Sequence, residues 1–230
     1  MRWFLTVALA ALAVGPASAE QNEAEKLFRV MEQKVRDAKT LRVRFDLSII
    51  DGLDKEGKVK GALVLGDGDK YRVEGEGKLF GEAVKFTEVS DGADKFYKDA
   101  TDPKRDSKEK AAKAVGAYLR VALPREGFFL STLNMDRPGG LAPDAALLSN
   151  FKDAGKDKVG EQNTQVIEYT FKEKDAKEGL SMKMWLDAAT HLPVKLAVVG
   201  NEGDWKSLTE TYSEFTLDPE VDAKSFEAPK

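Results

Sequence analysis

The stretch from Leu180 to Phe215 alternates between apolar and polar residues over three runs that turn residues separate. In the first run every second residue from Leu180 to Leu186 is apolar, and the residues between them are polar or amphipathic. A period of two is typical of a β-strand with one buried face. The stretch therefore predicts an antiparallel meander whose apolar face a core, a partner or a ligand must cover.

The first half of the chain repeats this one-sided alternation after an amphipathic segment. Apolar residues recur every three or four positions from Glu23 to Lys39, which predicts a helix. From Leu41 to Ile49 the period changes to two, which predicts a long first strand. The pair Asp91-Gly92 is a two-residue hairpin signal between later strands. Further strands are predicted at Lys58–Leu65, Lys70–Glu76, Ala83–Ser90, Ala93–Lys98, Phe151–Val159 and Gln165–Lys172.

Between Asp99 and Asn150 helical signals replace the strand pattern. A Lys-rich segment from Asp106 to Val121 and a short one from Asp144 to Asn150 are predicted to be helices. Between them lies a dense apolar cluster, and Pro124 and Pro138-Gly139-Gly140 on its two sides are candidate hinges for a movable cover. This lid cluster consists of Phe128, Phe129, Leu130 and Leu133.

About ten strands, each apolar on one side, can form a sandwich, a closed barrel or a strongly curled single sheet. The helical segments favour the curled sheet, because its concave side accommodates apolar helix faces that a sandwich has nowhere to place. The predicted class is mainly β within α+β: a curled antiparallel half-barrel with an N-terminal helix and a helical lid. We expect one domain over residues 20–230, with the helical insertion at 106–150.

The first residues read as an export signal. Arg2 is followed by an apolar run from Trp3 to Val14 and by Ala17-Ser18-Ala19, a small-residue cleavage signal, so we expect cutting before Glu20. The chain contains no cysteine, which excludes disulfides and the thiol of an N-terminal lipid anchor. Its net charge of −4 speaks against nucleic acid as a partner. These features predict a soluble periplasmic protein.

Motifs for catalysis or metal binding are weak. His191 is the single histidine, which excludes a histidine-based metal cluster. In the turn before Leu192-Pro193 it suits a left-handed backbone better than chemistry. A calcium loop counted from Asp67 places Tyr71 and Lys78 where oxygen ligands are required. We therefore expect no enzyme activity, no metal and no cofactor.

Four pieces of the chain resemble the outer-membrane lipoprotein carrier superfamily. They are GDKYRVEGEG (Gly68–Gly77), VSDGADKFYKD (Val89–Asp99), MWLDAATHLPVKL (Met184–Leu196) and VDAKSFEAP (Val221–Pro229). The resemblance extends in order over most of the chain after the leader. It implies a curled antiparallel half-barrel in which helices form a lid over an apolar cavity that binds acyl chains of lipoproteins or other lipids.

The resemblance also implies partners and a lid-holding residue. As a carrier, the protein is expected to be a monomer that binds lipid or lipoprotein acyl chains and meets a membrane donor or acceptor protein. The alternative on the same fold is an envelope sensor or protein-binding module. Carriers hold their lid with an interior arginine; Arg72 is the nearest candidate, although its strand parity points outward, and Arg42 and Arg44 are others.

Strand parity identifies the side chains that would face the cavity of such a carrier. Each of them lies on the apolar side of its strand. The expected lining residues are Val84, Phe86, Ile167, Phe171, Met182, Met184, Val194 and Leu196.

The export signal makes a direct prediction about the mature protein. Purified from a cell envelope, it should begin at Glu20 and carry no lipid on its N-terminus, because Ala17-Ser18-Ala19 is cut and no cysteine follows. Intact mass and N-terminal sequencing check this. A mass that retains the leader would contradict it.

Overall fold

The computed structural model describes residues 22–134, 146–173, 176–199 and 205–229. The export signal and the candidate hinge at 138–140 lie outside these residues, as does the side chain of Leu133. Two α-helices and two short 3-10 helices accompany eleven strands. The helices are α1 (Glu23–Asp37) and α2 (Val115–Asn134), and the 3-10 helices span Pro103–Arg105 and Ala223–Phe226.

All eleven strands belong to one antiparallel sheet, as the half-barrel prediction requires. Its spatial order is β6-β5-β4-β3-β2-β1-β11-β10-β9-β8-β7, and among the described residues the outer strands β6 and β7 do not pair with each other. The sheet is thus curled but unclosed, and β1 and β11 lie at its middle. The strands are β1 Leu41–Asp51, β2 Glu56–Leu65, β3 Lys70–Leu79, β4 Glu82–Asp91, β5 Asp94–Asp99, β6 Ser107–Lys110, β7 Ala146–Val159, β8 Gln162–Glu173, β9 Leu180–Asp187, β10 Pro193–Val199 and β11 Trp205–Leu217.

Helix α1 covers one end of the concave face. The Asn22 side chain accepts a hydrogen bond from the Glu25 amide at 2.8 Å and so caps the first turn. The buried ring of Phe28 packs 5.2 Å from the ring of Phe151 and 5.1 Å from that of Tyr169. The apolar side of α1 is therefore buried against β7 and β8.

The helix predicted at Asp106–Val121 is confirmed only from Val115 onward, and the one predicted at Asp144–Asn150 is wrong where the structure describes it. Ser107–Lys110 is strand β6, which pairs with β5, and α2 begins only at Val115. Lys and Glu favour helices, but here Lys108 and Lys110 form ion pairs with Asp94 on the neighbouring strand. Of the segment predicted as a helix at Asp144–Asn150, the described residues 146–150 belong to strand β7, where a bulge with Asn150 at φ 57° interrupts the alternation.

A buried arginine ties α2 to the sheet. The Arg120 guanidinium donates to the backbone carbonyl of Ala38 at 2.8 Å, and to that of Gly66 at 2.7 Å. It also donates to the carbonyls of Lys39 and Gly116. One side chain thereby joins α2, the segment after α1 and the end of β2, and its charge is distributed over four carbonyl oxygens.

The three arginines proposed from the sequence do not lie inside the half-barrel. Arg44 pairs with Glu214 at 3.0 Å and Arg42 with the same carboxylate at 3.9 Å, on the outer face. Arg72 donates to Glu74 at 2.6 Å, as its outward parity predicts. Among the residues with described side chains, the buried arginine is Arg120, in the helical insertion.

Replacing Arg120 should destabilise the fold strongly. In Arg120→Ala the carbonyls it binds lose their donor, so we expect the free energy of unfolding to fall by ~3 kcal/mol. Arg44→Ala, which removes an exposed ion pair, should change it by less than ~1 kcal/mol. Denaturant unfolding of both variants measures the difference, and equal losses would contradict the structural role of Arg120.

Candidate functional site

Seven of the eight expected lining residues share the apolar core, and the eighth, Val194, is buried beside a register irregularity in β10. Ile167, Phe171, Met182, Met184 and Leu196 are buried in this core, whereas Val84 and Phe86 are half-buried and pack against its edge. The Phe86 ring lies over the backbone of Gly75, where a Cβ atom would come within 2.6 Å of it. These seven side chains therefore share one surface, and whether a ligand binds to it stays a prediction.

One row of cross-strand neighbours crosses the whole of this surface. Strand register pairs each member with the next, from β8 at one end to β4 at the other. Four expected lining residues belong to the row. Its fourth position is an acidic residue that is not among the lining residues predicted from the sequence. In order, the row is Ile167, Met184, Leu196, Glu210, Leu47, Val59, Gly77 and Val84.

Helix α2 changes direction above this row. Gly127 has φ 79° and ψ 179°, which divides α2 into a first segment and a lid segment, residues 128–134. In the lid segment, the ring of Phe128 stacks on that of Phe45 with centroids 3.9 Å apart. Phe128 and Leu130 are buried and Phe129 is half-buried. The lid cluster thus covers the central strands, within the residues that the structure describes.

The break needs a glycine for two reasons. Its positive φ is unfavourable for a residue with a side chain. In addition, a Cβ atom on Gly127 would collide with the Leu196 side chain and would lie 2.8 Å from a Glu210 carboxylate oxygen. The sequence predicts a hinge at Pro124, three residues earlier. In the structure Pro124 lies within α2, and the backbone dihedrals break at Gly127.

Glu210 binds the start of the lid segment. Its carboxylate accepts hydrogen bonds from the backbone amides of Phe128 and Phe129, both at 2.7 Å. The Tyr212 hydroxyl donates to the same carboxylate at 2.5 Å. The side chain is 0% exposed, and this burial raises the pKa of Glu210 above its ordinary value, against the opposing effect of the three donors.

Other polar contacts hold the first segment of α2. Arg125 forms a half-buried ion pair with Glu32 of α1, and its backbone carbonyl accepts a hydrogen bond from the Tyr169 hydroxyl at 2.7 Å. The Tyr118 hydroxyl donates to Glu126 at 3.0 Å. The first segment is therefore linked to α1 and β8, and the lid segment is linked to β11 through Glu210.

Glu210 left a detectable signal in the sequence. In the run Leu208-Thr209-Glu210-Thr211-Tyr212, the glutamate occupies the same parity as Leu208 and Tyr212. An acidic residue at an apolar position of a one-sided strand indicates a buried carboxylate with partners. Two of those partners are backbone amides from the insertion, which no local pattern could identify.

Among the residues that the structure describes, no group of three or more histidine, cysteine, aspartate or glutamate side chains could hold a metal ion. Within the same residues, no helix is long and apolar enough to cross a membrane.

The turn at the only histidine is structural. Asp187 accepts hydrogen bonds from the amides of Ala189 and Thr190, and His191 has φ 59°, the left-handed conformation expected from the sequence. These hydrogen bonds lower the pKa of Asp187, the Thr190 amide most of all.

Comparison with solved structures identifies the fold. LprF from Mycobacterium bovis matches with a TM-score of 0.51 at 15% identity, over 86% of this chain and 95% of that one. The fold is LolA-like. The expected half-barrel fold is thus confirmed, and a likeness at this identity shows the fold alone.

Two further structures match less well. Lipoprotein LppX from Mycobacterium tuberculosis has a TM-score of 0.47 at 13% identity, over 86% of this chain and 98% of that one. A LolA superfamily protein from Nitrosomonas europaea has a TM-score of 0.36 at 9% identity, over 89% and 97%. No protein-family model matches the sequence, and no curated protein matches it.

The break in α2 predicts a large effect of a single methyl group. Gly127→Ala adds a Cβ where Leu196 and Glu210 leave no room, so we expect a loss of ~1–3 kcal/mol in the free energy of unfolding. Gly81→Ala is the control, because Gly81 also has a positive φ, 97°, but open space around it. Thermal or denaturant unfolding should rank Gly127→Ala as clearly more damaging, and an equal loss would mean that backbone strain alone sets the cost.

Burial of Glu210 predicts how stability depends on pH. Because its pKa is raised from 4.5 on folding, the folded protein keeps a proton that the unfolded chain releases as the pH rises. Its contribution to the free energy of unfolding is therefore fully present below pH 4.5 and declines as the pH rises through the raised value. Tyr212 and Tyr169 nearby stay neutral over this range, since burial raises the pKa of both hydroxyls well above normal.

The free energy of unfolding is measured against pH for the unmodified protein and for Glu210→Gln. In the difference between the two, the titration of all groups that both proteins share cancels. The free energy of unfolding of the unmodified protein minus that of Glu210→Gln should fall as the pH rises from about 4. A difference that is constant or rises with pH would show that the carboxyl is not destabilised by burial.

Proposed function

We propose that this protein is a periplasmic carrier that binds acyl chains of lipoproteins or other lipids against the concave face of its sheet. In this function, the lid segment leaves the central strands and the acyl chain takes its place on the apolar row. The eight expected lining residues would contact the chain, and the lid cluster would close over it. The chain would act as one binding domain, without a metal or a cofactor.

The observation that carries the proposal is how the apolar face is covered. The described sheet has one apolar side, and helices cover it where a sandwich would have a second sheet. The cover at the central strands is the lid segment, which begins at a glycine break and is hydrogen-bonded through its first two amides. Detaching it would break the two hydrogen bonds to Glu210 and expose the apolar side chains on both sides of that carboxylate.

Energetics favour a carrier of this kind over a tight receptor. An acyl chain gains ~0.8 kcal/mol for each buried methylene, but it forfeits about the same on leaving a membrane. A displaceable lid lowers net affinity because its own apolar contacts must first be lost. Such a site can therefore accept and release a chain, as transfer requires.

Lipid content of the native protein tests the proposal. Protein purified from the envelope without refolding should release lipid on solvent extraction, and mass spectrometry should identify species with acyl chains. Recovery of a tightly bound protein partner with no lipid would contradict the carrier function and support the sensor alternative.

A matched pair of variants tests where the chain binds. Val84 is half-buried on the inner face, so Val84→Glu should fold, yet it places a charge beside the acyl chain and should weaken binding of a fluorescent acyl probe at least tenfold, ~1.4 kcal/mol. Ala83→Glu, one residue earlier on the exposed outer face, should bind the probe like the unmodified protein. Equal binding by both variants would place the chain elsewhere.

A further inference from the structure

The carboxylate at the centre of the apolar row sets a condition on any ligand that displaces the lid segment. Glu210 lies between Leu196 of β10 and Leu47 of β1, so its neighbours on both sides along the row are apolar. Its side chain is 0% exposed and points to the same side as theirs, because the amides of Phe128 and Phe129 reach it from the lid segment.

Two of the three donors that Glu210 accepts from belong to the lid segment. The third, the hydroxyl of Tyr212, belongs to the same strand as Glu210 and stays with it. A carboxylate has about four lone-pair sites. When the lid segment leaves, the carboxylate keeps one donor and lies in an apolar cavity, and an under-bonded carboxylate in such a setting is strongly unfavourable.

A purely hydrocarbon ligand would leave this cost in place. An ester carbonyl would add to it whenever Glu210 is ionised, because it brings only acceptors next to an acceptor. A group with an N–H or O–H next to the acyl chain removes the cost by occupying the positions that the two lid amides hold at 2.7 Å in the closed form.

We infer that Glu210 is a ligand-binding residue that selects lipids with a hydrogen-bond donor at the head of the acyl chain: an ammonium, a hydroxyl or an amide N–H. This inference rests on the proposed function and specifies its substrate class. Leu196 and Met184 on one side and Leu47 on the other then contact the hydrocarbon, and Tyr212 supplies one further hydrogen bond to the carboxylate.

Four ligands with the same dodecyl chain length test the inference. Dodecylamine, dodecanol and N-methyldodecanamide each carry a donor, and methyl dodecanoate carries none. Competition against a fluorescent acyl probe should show the three donor ligands binding about tenfold or more tightly than the ester, the ratio that one charged or well-buried hydrogen bond supplies. Differences among the three identify which donor the site prefers.

Glu210→Gln tests the residue itself. Glutamine has nearly the same shape but no charge, so the advantage of dodecylamine over methyl dodecanoate should fall about tenfold, while the affinity for the ester changes by less than about threefold. The control is Glu214→Gln, the same substitution on the same strand in a partly exposed ion pair with Arg44, and it should leave the ranking unchanged. Circular dichroism verifies that both variants fold.

The outcomes separate the two proposals. If the ester binds the unmodified protein as tightly as the three donor ligands, the selectivity is overturned and the carrier function stands; this comparison needs no variant. If Glu210→Gln folds and keeps the full ranking, the role of Glu210 is overturned. If neither the acyl probe nor any of the four ligands binds the unmodified protein, the carrier function itself fails.

Discussion

An unclosed sheet with one apolar face is the constraint on which the rest of this structure depends. Most of its antiparallel strands alternate so that one side of the sheet is apolar, and the outer strands β6 and β7 do not pair among the described residues. A sheet of this kind cannot bury its own surface as a closed barrel does, so other elements must cover it. Helix α1 covers β7 and β8, and α2 covers the centre, held by the buried guanidinium of Arg120.

Polar groups within this apolar setting decide which part of the cover is firmly attached. The first segment of α2 is linked to its surroundings through Arg120 and the Arg125–Glu32 pair. The lid segment beyond Gly127 is linked to the sheet through the Glu210 carboxylate, a buried acid whose desolvation is only partly offset by its hydrogen bonds. Burying the Glu210 carboxylate is costly, but its hydrogen bonds to the lid segment offset part of that cost when the lid segment is in place. Such a balance suits a lid segment that must detach and return.

Most of the fold could be predicted from local pattern. The two-residue alternation identified nearly every strand and the correct inner face, because one buried side leaves a direct mark on the sequence. It failed at β6, where lysines and a glutamate favoured a helix, and at the start of β7, where a bulge at Asn150 breaks the period. Arg120 and Glu210 could not be assigned, since most of their partners are backbone groups distant in sequence. For Glu210 the parity within its strand was the only signal.

Movement of the lid segment is the central claim, and a reversible crosslink tests it most directly. The chain has no cysteine, so Phe45→Cys together with Phe128→Cys creates a single pair of thiols where two rings now stack 3.9 Å apart. A short bis-methanethiosulfonate reagent can bridge them, and a reductant releases the bridge. Binding of an acyl probe should be lost in the bridged protein and regained on reduction, while each single variant treated in the same way binds throughout. Equal binding by the bridged and released forms would contradict the claim that the acyl chain takes the place of the lid segment.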